Sequence, residues 1–120
     1  MAAPTADTTI TATDVSVGVA AVITAAGGTA INAAHVVRCL YPKEGKLAIM
    51  CLSSHANTAL HFYAGEGVAA DLGDLELAAA NTVHAMFIVP SNRCKWFDGY
   101  VYWHYFPTDS AGYVKCVNLP

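Results

Sequence analysis

Histidine and cysteine are the residue types in this chain that could bind a metal ion. A structural zinc site needs four nitrogen or sulfur ligands in a tetrahedral arrangement, and these usually occur in closely spaced CxxC or HxxxH pairs. The chain contains no such pair, because every cysteine is isolated in the sequence. We therefore predict no metal site and no bound cofactor. The candidate ligands in the sequence are His35, His55, His61, His84 and His104, with Cys39, Cys51, Cys94 and Cys116.

A cysteine and a histidine could also act together as a nucleophile and its base. Such a pair must lie close together in space, and a third group must orient the base. The spacing along the chain indicates no such group. We predict instead that Cys39, Cys51 and Cys116 are small core residues on strands, which is a common setting for a free cysteine.

Three acidic residues, Asp71, Asp74 and Glu76, lie close together in the sequence. They could form a carboxylate pair or a calcium loop, but the EF-hand spacing is absent. We interpret both aspartates as turn formers and Glu76 as a solvated strand position. The glycine-rich segments at residues 27–28 and 65–67 match neither phosphate-loop pattern, and we interpret them as turns. The sequence therefore predicts no catalytic residues and a protein that is not an enzyme.

The most aromatic segment, residues 100–106, is the strongest candidate for an interaction site. A half-buried strand usually alternates apolar and polar residues, but both faces of this predicted strand carry large rings. Either both faces are covered within the fold, or one face contacts a partner, where Tyr and Trp are enriched. Stacking on a sugar or on a nucleic-acid base is a third alternative. The lack of a basic groove makes stacking on bases the weaker of these two options. The candidate interface residues are Tyr100, Tyr102, Trp103, His104, Tyr105 and Phe106.

Charged residues are scarce in this chain. They make up 12% of its 120 residues, whereas hydrophobic residues make up 55%. Soluble domains average about 25% charged residues. A monomer with so few charges would be poorly soluble, so we expect partners to cover much of its surface. The composition thus predicts an oligomer or a lattice.

The distribution of charge and hydropathy excludes two classes of partner. The net charge is −3, and the six basic residues form no stripe that could neutralise phosphates, so we predict no nucleic-acid partner. The longest apolar stretches, residues 15–26 and 78–90, fall short of the roughly 20 residues that span a membrane, so we predict no membrane partner. The N-terminal residues lack the features of a secretory signal, which predicts synthesis in a cytoplasm with the cysteines as thiols.

The pattern of strands and turns predicts an all-β fold, a single β-sandwich or jelly-roll-like domain. Residues 1–34 are almost wholly Ala, Thr, Val, Gly, Ile and Asp, and we interpret them as an extended N-terminal arm with a weak strand. Because residues 1–28 have few large side chains, we expect their removal to leave a stable body. The body, residues 35–120, alternates apolar runs with turn signals. Its predicted strands are residues 35–41, 46–53, 58–64, 74–78, 83–89, 100–106 and 112–119.

Residues 74–86 also have a helical propensity, because they contain Leu75, Leu77 and a run of three alanines. We favour a strand, a turn and a second strand. The dipeptide Ala80-Asn81 suits a turn, and the β-branched Thr82 and Val83 that follow favour a strand.

Turn and strand-end motifs occur in a distinctive order between residues 45 and 119. They are Gly65-Glu66-Gly67, Gly73-Asp74-Leu75-Glu76-Leu77, Ala79-Ala80, Ser91-Asn92-Arg93-Cys94-Lys95 and Asp98-Gly99. This order resembles that of the small β-sandwich proteins that decorate, or cement, the heads of tailed bacteriophages. The chain departs from the family pattern at Cys94, where Phe is expected, at Asn81, which replaces a turn glycine, and in its long N-terminal arm.

The resemblance implies a virion structural protein that binds the outside of an icosahedral shell. Its partners would be the major capsid protein and other copies of itself, in a homo-oligomer such as a trimer, at the capsid surface after synthesis in the host cytoplasm. Another virion component, in the tail, neck or fibre, is the structural alternative. A carbohydrate-binding β-sandwich that uses Trp103 and its neighbours is the alternative of a different class.

Overall fold

Two mixed β-sheets pack face to face around one core in the computed structural model, which describes residues 3–18, 20, 28–55, 58–80, 84–106 and 110–120. The prediction of an all-β sandwich is confirmed. A single-turn α-helix, α1 (Ser91–Cys94), and a 3-10 turn at Ala70–Leu72 lie in connections between strands. The strands in chain order are β1 (Thr8–Ile10), β2 (Thr13–Asp14), β3 (Thr29–Ala30), β4 (Val36–Leu40), β5 (Lys46–His55), β6 (Thr58–Phe62), β7 (Leu75–Ala79), β8 (His84–Ile88), β9 (Tyr100–Phe106) and β10 (Ala111–Leu119).

Most neighbouring strands in each sheet come from distant parts of the chain. Sheet A has the order β1-β4-β9-β6-β7, and sheet B has the order β2-β10-β5-β8, with β3 also paired to β10. The longest ladder is the antiparallel pairing of β5 with β10, which runs from Lys46 opposite Leu119 to His55 opposite Ala111. Both of these strands are central in sheet B, and β4, β9 and β6 are central in sheet A.

Alternation of side chains places one face of each central strand in the core. In β9 the inward residues include Trp103 and Tyr105, in β5 they include Ile49 and Cys51, and in β10 they include Val114. Burying a large apolar side chain contributes roughly 1.5–3 kcal/mol. Because a shift of one residue would turn these side chains towards solvent, the core fixes the register of both sheets.

The strands of the body lie close to where the sequence predicts them. Strand β9 has the predicted bounds, and β4 to β8 and β10 begin and end within two residues of them. Residues 75–79 and 84–88 form β7 and β8, so the choice of strands over a helix in this segment is confirmed. The predicted turn residue Asn81 lies outside the described residues.

The described parts of residues 1–34 complete both sheets. Strand β1 pairs in parallel with β4, with Thr8 opposite Val37. Strand β2 then pairs in parallel with β10, and β3 pairs antiparallel with a different part of β10, so the segment crosses from sheet A to sheet B. The arm thus contributes an edge strand to each sheet, and the effect of its removal on stability stays a prediction.

The motif residues from which the resemblance was inferred build the connection between β6 and β7. The Arg93 guanidinium donates from Nε to the carbonyl of Gly73 at 3.0 Å and from Nη2 to the carbonyl of Asp74 at 2.8 Å. The Asp74 carboxylate accepts a hydrogen bond from the Ala64 amide at 2.7 Å. Gly73 has a φ of 82°, a conformation that favours glycine. These residues therefore have structural roles in a loop.

The Gly65-Glu66-Gly67 segment lies against the backbone of α1. The Gly65 amide donates to the Arg93 carbonyl at 2.7 Å, and the Glu66 amide donates to the Lys95 carbonyl at 2.9 Å. A Cβ atom on Gly65 would collide with the Lys95 carbonyl, and one on Gly67 would collide with the backbone of Asn92. Glycine is required here for close backbone contact.

Candidate functional site

The candidate interface residues of β9 divide between the core and the outer surface of sheet A. Trp103 is 0% exposed and Tyr105 is 3% exposed, because both side chains point towards sheet B. These two are therefore core residues. The alternate side chains face outward, and they end with Phe106, which is 58% exposed. The other outward residues are Tyr100, Tyr102 and His104.

Tyr102 is buried although it lies on the outer face. The Trp96 ring packs edge-on against it, with 6.2 Å between ring centroids. The Tyr102 hydroxyl donates a hydrogen bond to the Asp98 carboxylate, which also accepts one from the Tyr100 amide at 3.0 Å. Desolvation, and then the hydrogen bond to Asp98, raises the pKa of Tyr102. The hydroxyl is thus a neutral donor at physiological pH.

Arg38 of β4 covers the neighbouring part of this surface. Its guanidinium lies 4.1 Å from the centroid of the Tyr100 ring, in a cation–π contact. Its Nε donates to the Thr9 hydroxyl of β1 at 2.9 Å. The Tyr102 hydroxyl and the Arg38 guanidinium are therefore engaged within this surface, which favours a role in stabilising the outer face of sheet A.

Two histidines occupy the other half of the same face. The rings of His61 on β6 and His104 on β9 stack, with centroids 4.8 Å apart and 28° between their planes, and Tyr63 packs against His104 at 5.3 Å. Asp74 lies 3.7 Å from His61 Nε2. Desolvation, followed by the charge of His61, lowers the pKa of His104, while Asp74 opposes the shift.

Sheet B presents an apolar outer surface, which we call the sheet B face. Its members are Met50 and Leu52 of β5, Met86 and Ile88 of β8, and Tyr113 of β10. Met86 is 59% exposed, Ile88 is 50% exposed and Tyr113 is 40% exposed. Met50 is directly opposite Met86, and Tyr113 is directly opposite Leu52, so the five side chains form one continuous patch.

The polar residues on this patch are few. In the cross-strand rows, Lys115 of β10 pairs with Met50, and His84 of β8 pairs with Leu52. Lys115 is therefore the one formally charged side chain among the rows that hold the patch. Contiguous exposed apolar patches with a polar rim are characteristic of protein contact sites.

The patch extends to an open edge of its sheet. Among the described residues, no strand pairs with the side of β8 that faces away from β5. Natural proteins usually protect such an edge with Lys, Pro or a bulge, and the sequence of β8, HAMFI, contains neither Lys nor Pro. In the described part of the chain, the Met86 and Ile88 side chains and the outer backbone edge of β8 are thus open to a partner.

Comparison with known proteins adds no relative. No family model, curated protein or solved structure matches this chain. The resemblance to head decoration proteins therefore stays a prediction.

The next feature is the distribution of the metal-binding residue types. In the described part of the chain, no group of three or more His, Cys, Asp or Glu side chains is placed to hold a metal ion. All four cysteines are buried free thiols. Nor does any helix within the described ranges have the length and apolar character to cross a membrane.

Sequence reasoning identified the aromatic surface but missed the sheet B face. A local signal for it does exist, because His84, Met86 and Ile88 alternate with Ala85 and Phe87, which pack on the core. The contributions of Met50 and Tyr113 depend on pairing between β5, β8 and β10. Such pairing between distant strands is not visible in a local pattern.

Proposed function

We propose that this protein is a non-enzymatic structural component of a virion, which binds the outer surface of an icosahedral bacteriophage head and stabilises it. The sheet B face supports this proposal: it is a patch of five apolar side chains, with one formal charge in its rows, beside a strand edge that no described strand pairs with. A surface of this kind is suited to being covered in an assembly. We assign the major capsid protein as the partner that covers it.

The mechanism is the burial of apolar area across neighbouring capsid subunits. At about 25 cal/mol per Å², ~1,000 Å² of apolar burial would contribute about 25 kcal/mol before costs. Lost translational and rotational freedom and the ordering of side chains offset much of that. The remainder, repeated at every site on a shell, strengthens the lattice. The family resemblance and the scarcity of charged residues support the same role.

A carbohydrate-binding function finds less support. The proposed stacking residue, Trp103, is fully buried, and the other tryptophan, Trp96, is also buried. Neither indole can therefore stack on a sugar without a rearrangement of the fold.

The test is binding to empty shells assembled from the major capsid protein that is encoded in the same genome. We expect the wild-type chain to co-sediment with these shells and to occupy regular lattice points in electron micrographs. The double variant Met86→Lys with Ile88→Lys places two charges on the sheet B face, and it should bind at least tenfold more weakly, as expected for loss of two interface anchors.

A matched control places the same two charges elsewhere. Val68 and Leu72, in the connection between β6 and β7, are exposed apolar residues outside the sheet B face. The variant Val68→Lys with Leu72→Lys should bind shells as the wild type does, and all three proteins should have similar thermal melting curves. Equal weakening in both variants would contradict the assignment of the face. Wild-type protein found on tails and not on shells would contradict the head location.

A further inference from the structure

The outer edge of β8 carries backbone groups that no described strand pairs with. In the antiparallel ladder of β8 with β5, the Val89 amide donates to the Leu47 carbonyl at 2.9 Å, so these two residues form a hydrogen-bonded pair. Hydrogen-bonded and non-hydrogen-bonded pairs alternate along such a ladder. The amides and carbonyls of His84, Met86 and Ile88 therefore point away from β5, towards the open edge.

These outward backbone groups are complementary to a second copy of themselves. When two copies of β8 run antiparallel with Met86 opposite Met86, His84 of each copy lies opposite Ile88 of the other. Every one of these rows is then a hydrogen-bonded pair, in which each residue exchanges an amide and a carbonyl bond with its partner. An identical strand in this register thus satisfies all the outward donors and acceptors of β8.

The charges near this edge do not oppose the approach of a second copy. Strand β8 contains no Asp, Glu, Lys or Arg. The one formal charge in its described cross-strand rows is Lys115 of β10, which lies beyond Met50 of β5. At about 4.8 Å between neighbouring strands, the two Lys115 residues would lie roughly 24 Å apart, well beyond the screening length of about 8 Å at physiological salt.

The other described sheet edges have the protection that β8 lacks. The N-terminal strands β1, β2 and β3 are at most three residues long. Strand β7, at the opposite edge of sheet A from β1, carries the charged and exposed Glu76. Short edge strands and edge charges both oppose edge-to-edge association. Among the described strands, β8 is therefore the edge best suited to pair with an identical strand.

We propose that β8 is a self-association edge, at which a second copy of this chain adds its own β8 in antiparallel register centred on Met86. A twofold contact of this kind uses the same surface on both copies and closes at two copies. Sheet B then continues through both copies. Because directly opposed residues have their side chains on the same face, the two sheet B faces join into one surface. The homo-oligomer is thus a dimer, whereas the resemblance to decoration proteins suggests a trimer.

The dimer has a consequence for attachment to a shell. Its two sheet B faces lie side by side on the same side of the joined sheet, so one dimer offers two contacts to the capsid. Once the first contact has formed, the second becomes intramolecular, which raises the overall affinity. This consequence rests on the proposed function, whereas the self-association does not. The self-association is measured without shells, so a failure of either proposal is distinguishable from a failure of the other.

The test is disulfide trapping across the twofold axis. Opposed Cα atoms in a hydrogen-bonded pair are about 5.5 Å apart, within the range that a disulfide spans. We expect the full chain with Met86→Cys, oxidised with copper phenanthroline, to give a covalent dimer on non-reducing gels. In Ile88→Cys the two introduced thiols would lie roughly 14 Å apart, so its yield should be less than about a tenth of that. Val68→Cys, at an exposed position outside β8, measures cross-linking by random collision. The native cysteines are buried in the folded chain, and a wild-type control measures their background.

Sedimentation equilibrium measures the same association without a new thiol. We expect the mass of the wild type to rise with concentration, from the 12.6 kDa of a monomer towards twice that value. One pair of edge strands buries less area than a standard interface, so the series should extend to ~1 mM. Met86→Pro removes the central outward amide, a change that an edge strand tolerates, and it should weaken dimerisation at least tenfold. Met86→Val keeps the amide and should dimerise nearly as well as the wild type.

Three results would overturn the proposal. They are a wild type that stays monomeric over the whole series, a wild type that forms trimers, and a yield of covalent dimer in Ile88→Cys or Val68→Cys equal to that in Met86→Cys. If Met86→Pro fails to fold, the comparison of Met86→Cys with Ile88→Cys decides the question.

Discussion

Ile10 of the N-terminal strand lies in parallel register with Cys39 of β4. The Ile10 side chain belongs to the buried core, although Asp7 and Thr11, which flank β1 in the sequence, are exposed. A segment of small residues thus contributes a large apolar side chain to the buried core.

We expect Ile10→Ala to lower the free energy of unfolding by about 2–4 kcal/mol, because it leaves a cavity in the core. Thr11→Ala, at the exposed neighbouring position, should change it by less than about 0.5 kcal/mol. Urea denaturation of the isolated proteins measures both. Equal stability of Ile10→Ala and the wild type would show that β1 is not needed by the core.

Substitutions on the two faces of β9 should have different consequences. Trp103→Ala removes a fully buried ring, and we expect it to cost about 3–5 kcal/mol of stability. Phe106→Ala removes a ring that is 58% exposed, on the same strand, and it should cost less than about 1 kcal/mol. Thermal melting followed by circular dichroism distinguishes the two. A larger loss in Phe106→Ala would contradict the assignment of the faces.

The lowered pKa of His104 predicts that stability depends on pH. Because the pKa of folded His104 is lowered, the unfolded chain binds more protons than the folded chain between that pKa and the ordinary value of about 6.5. Stability should therefore rise with pH through this window and be lost as the pH falls below about 6.5. The groups that face this pair are Asp74, Tyr63 and Glu76, which is the cross-strand partner of His61.

An NMR titration of the His104 ring should show a pKa below the ordinary value. Urea denaturation at a series of pH values should show a weaker dependence for His104→Gln than for the wild type. The variant Phe106→Leu lies on the same strand but changes no titratable group. It should keep the wild-type dependence of stability on pH. An unchanged dependence in His104→Gln would assign the effect to other groups.

Arg93 holds the loop between β6 and β7 through backbone carbonyls. Arg93→Gln should lower the free energy of unfolding by about 1–3 kcal/mol, because the carbonyls of Gly73 and Asp74 lose a charged donor. Arg93→Lys should recover little of the lost stability, since an ammonium group cannot reproduce the forked geometry of the guanidinium. Lys43→Gln, at an exposed turn, is the control for loss of one positive charge. Chemical denaturation that finds Arg93→Gln equal to Lys43→Gln would contradict this role.

The sequence predicts the body strands well because the signals for them are local. Alternating apolar residues and turn residues such as Asp98-Gly99 lie within a few positions of the strand that they delimit. The pairing of β1 with β4, by contrast, joins residues that are far apart in the chain, and the weak apolar pattern of residues 1–34 does not specify a partner. Burial of Trp103 and exposure of Phe106 follow from alternation only after one residue of β9 has been placed in the core.

The position of β10 in the middle of sheet B has a consequence for the order of folding. Lys46 and Leu119 are partners in one ladder although most of the chain separates them. On the ribosome, β5 and β8 emerge well before β10, and β2 and β3 then have no strand to pair with. Sheet B can therefore assemble only once residue 119 has been synthesised. Folds with such distant pairing form slowly, and the nascent chain exposes its apolar strands in the meantime.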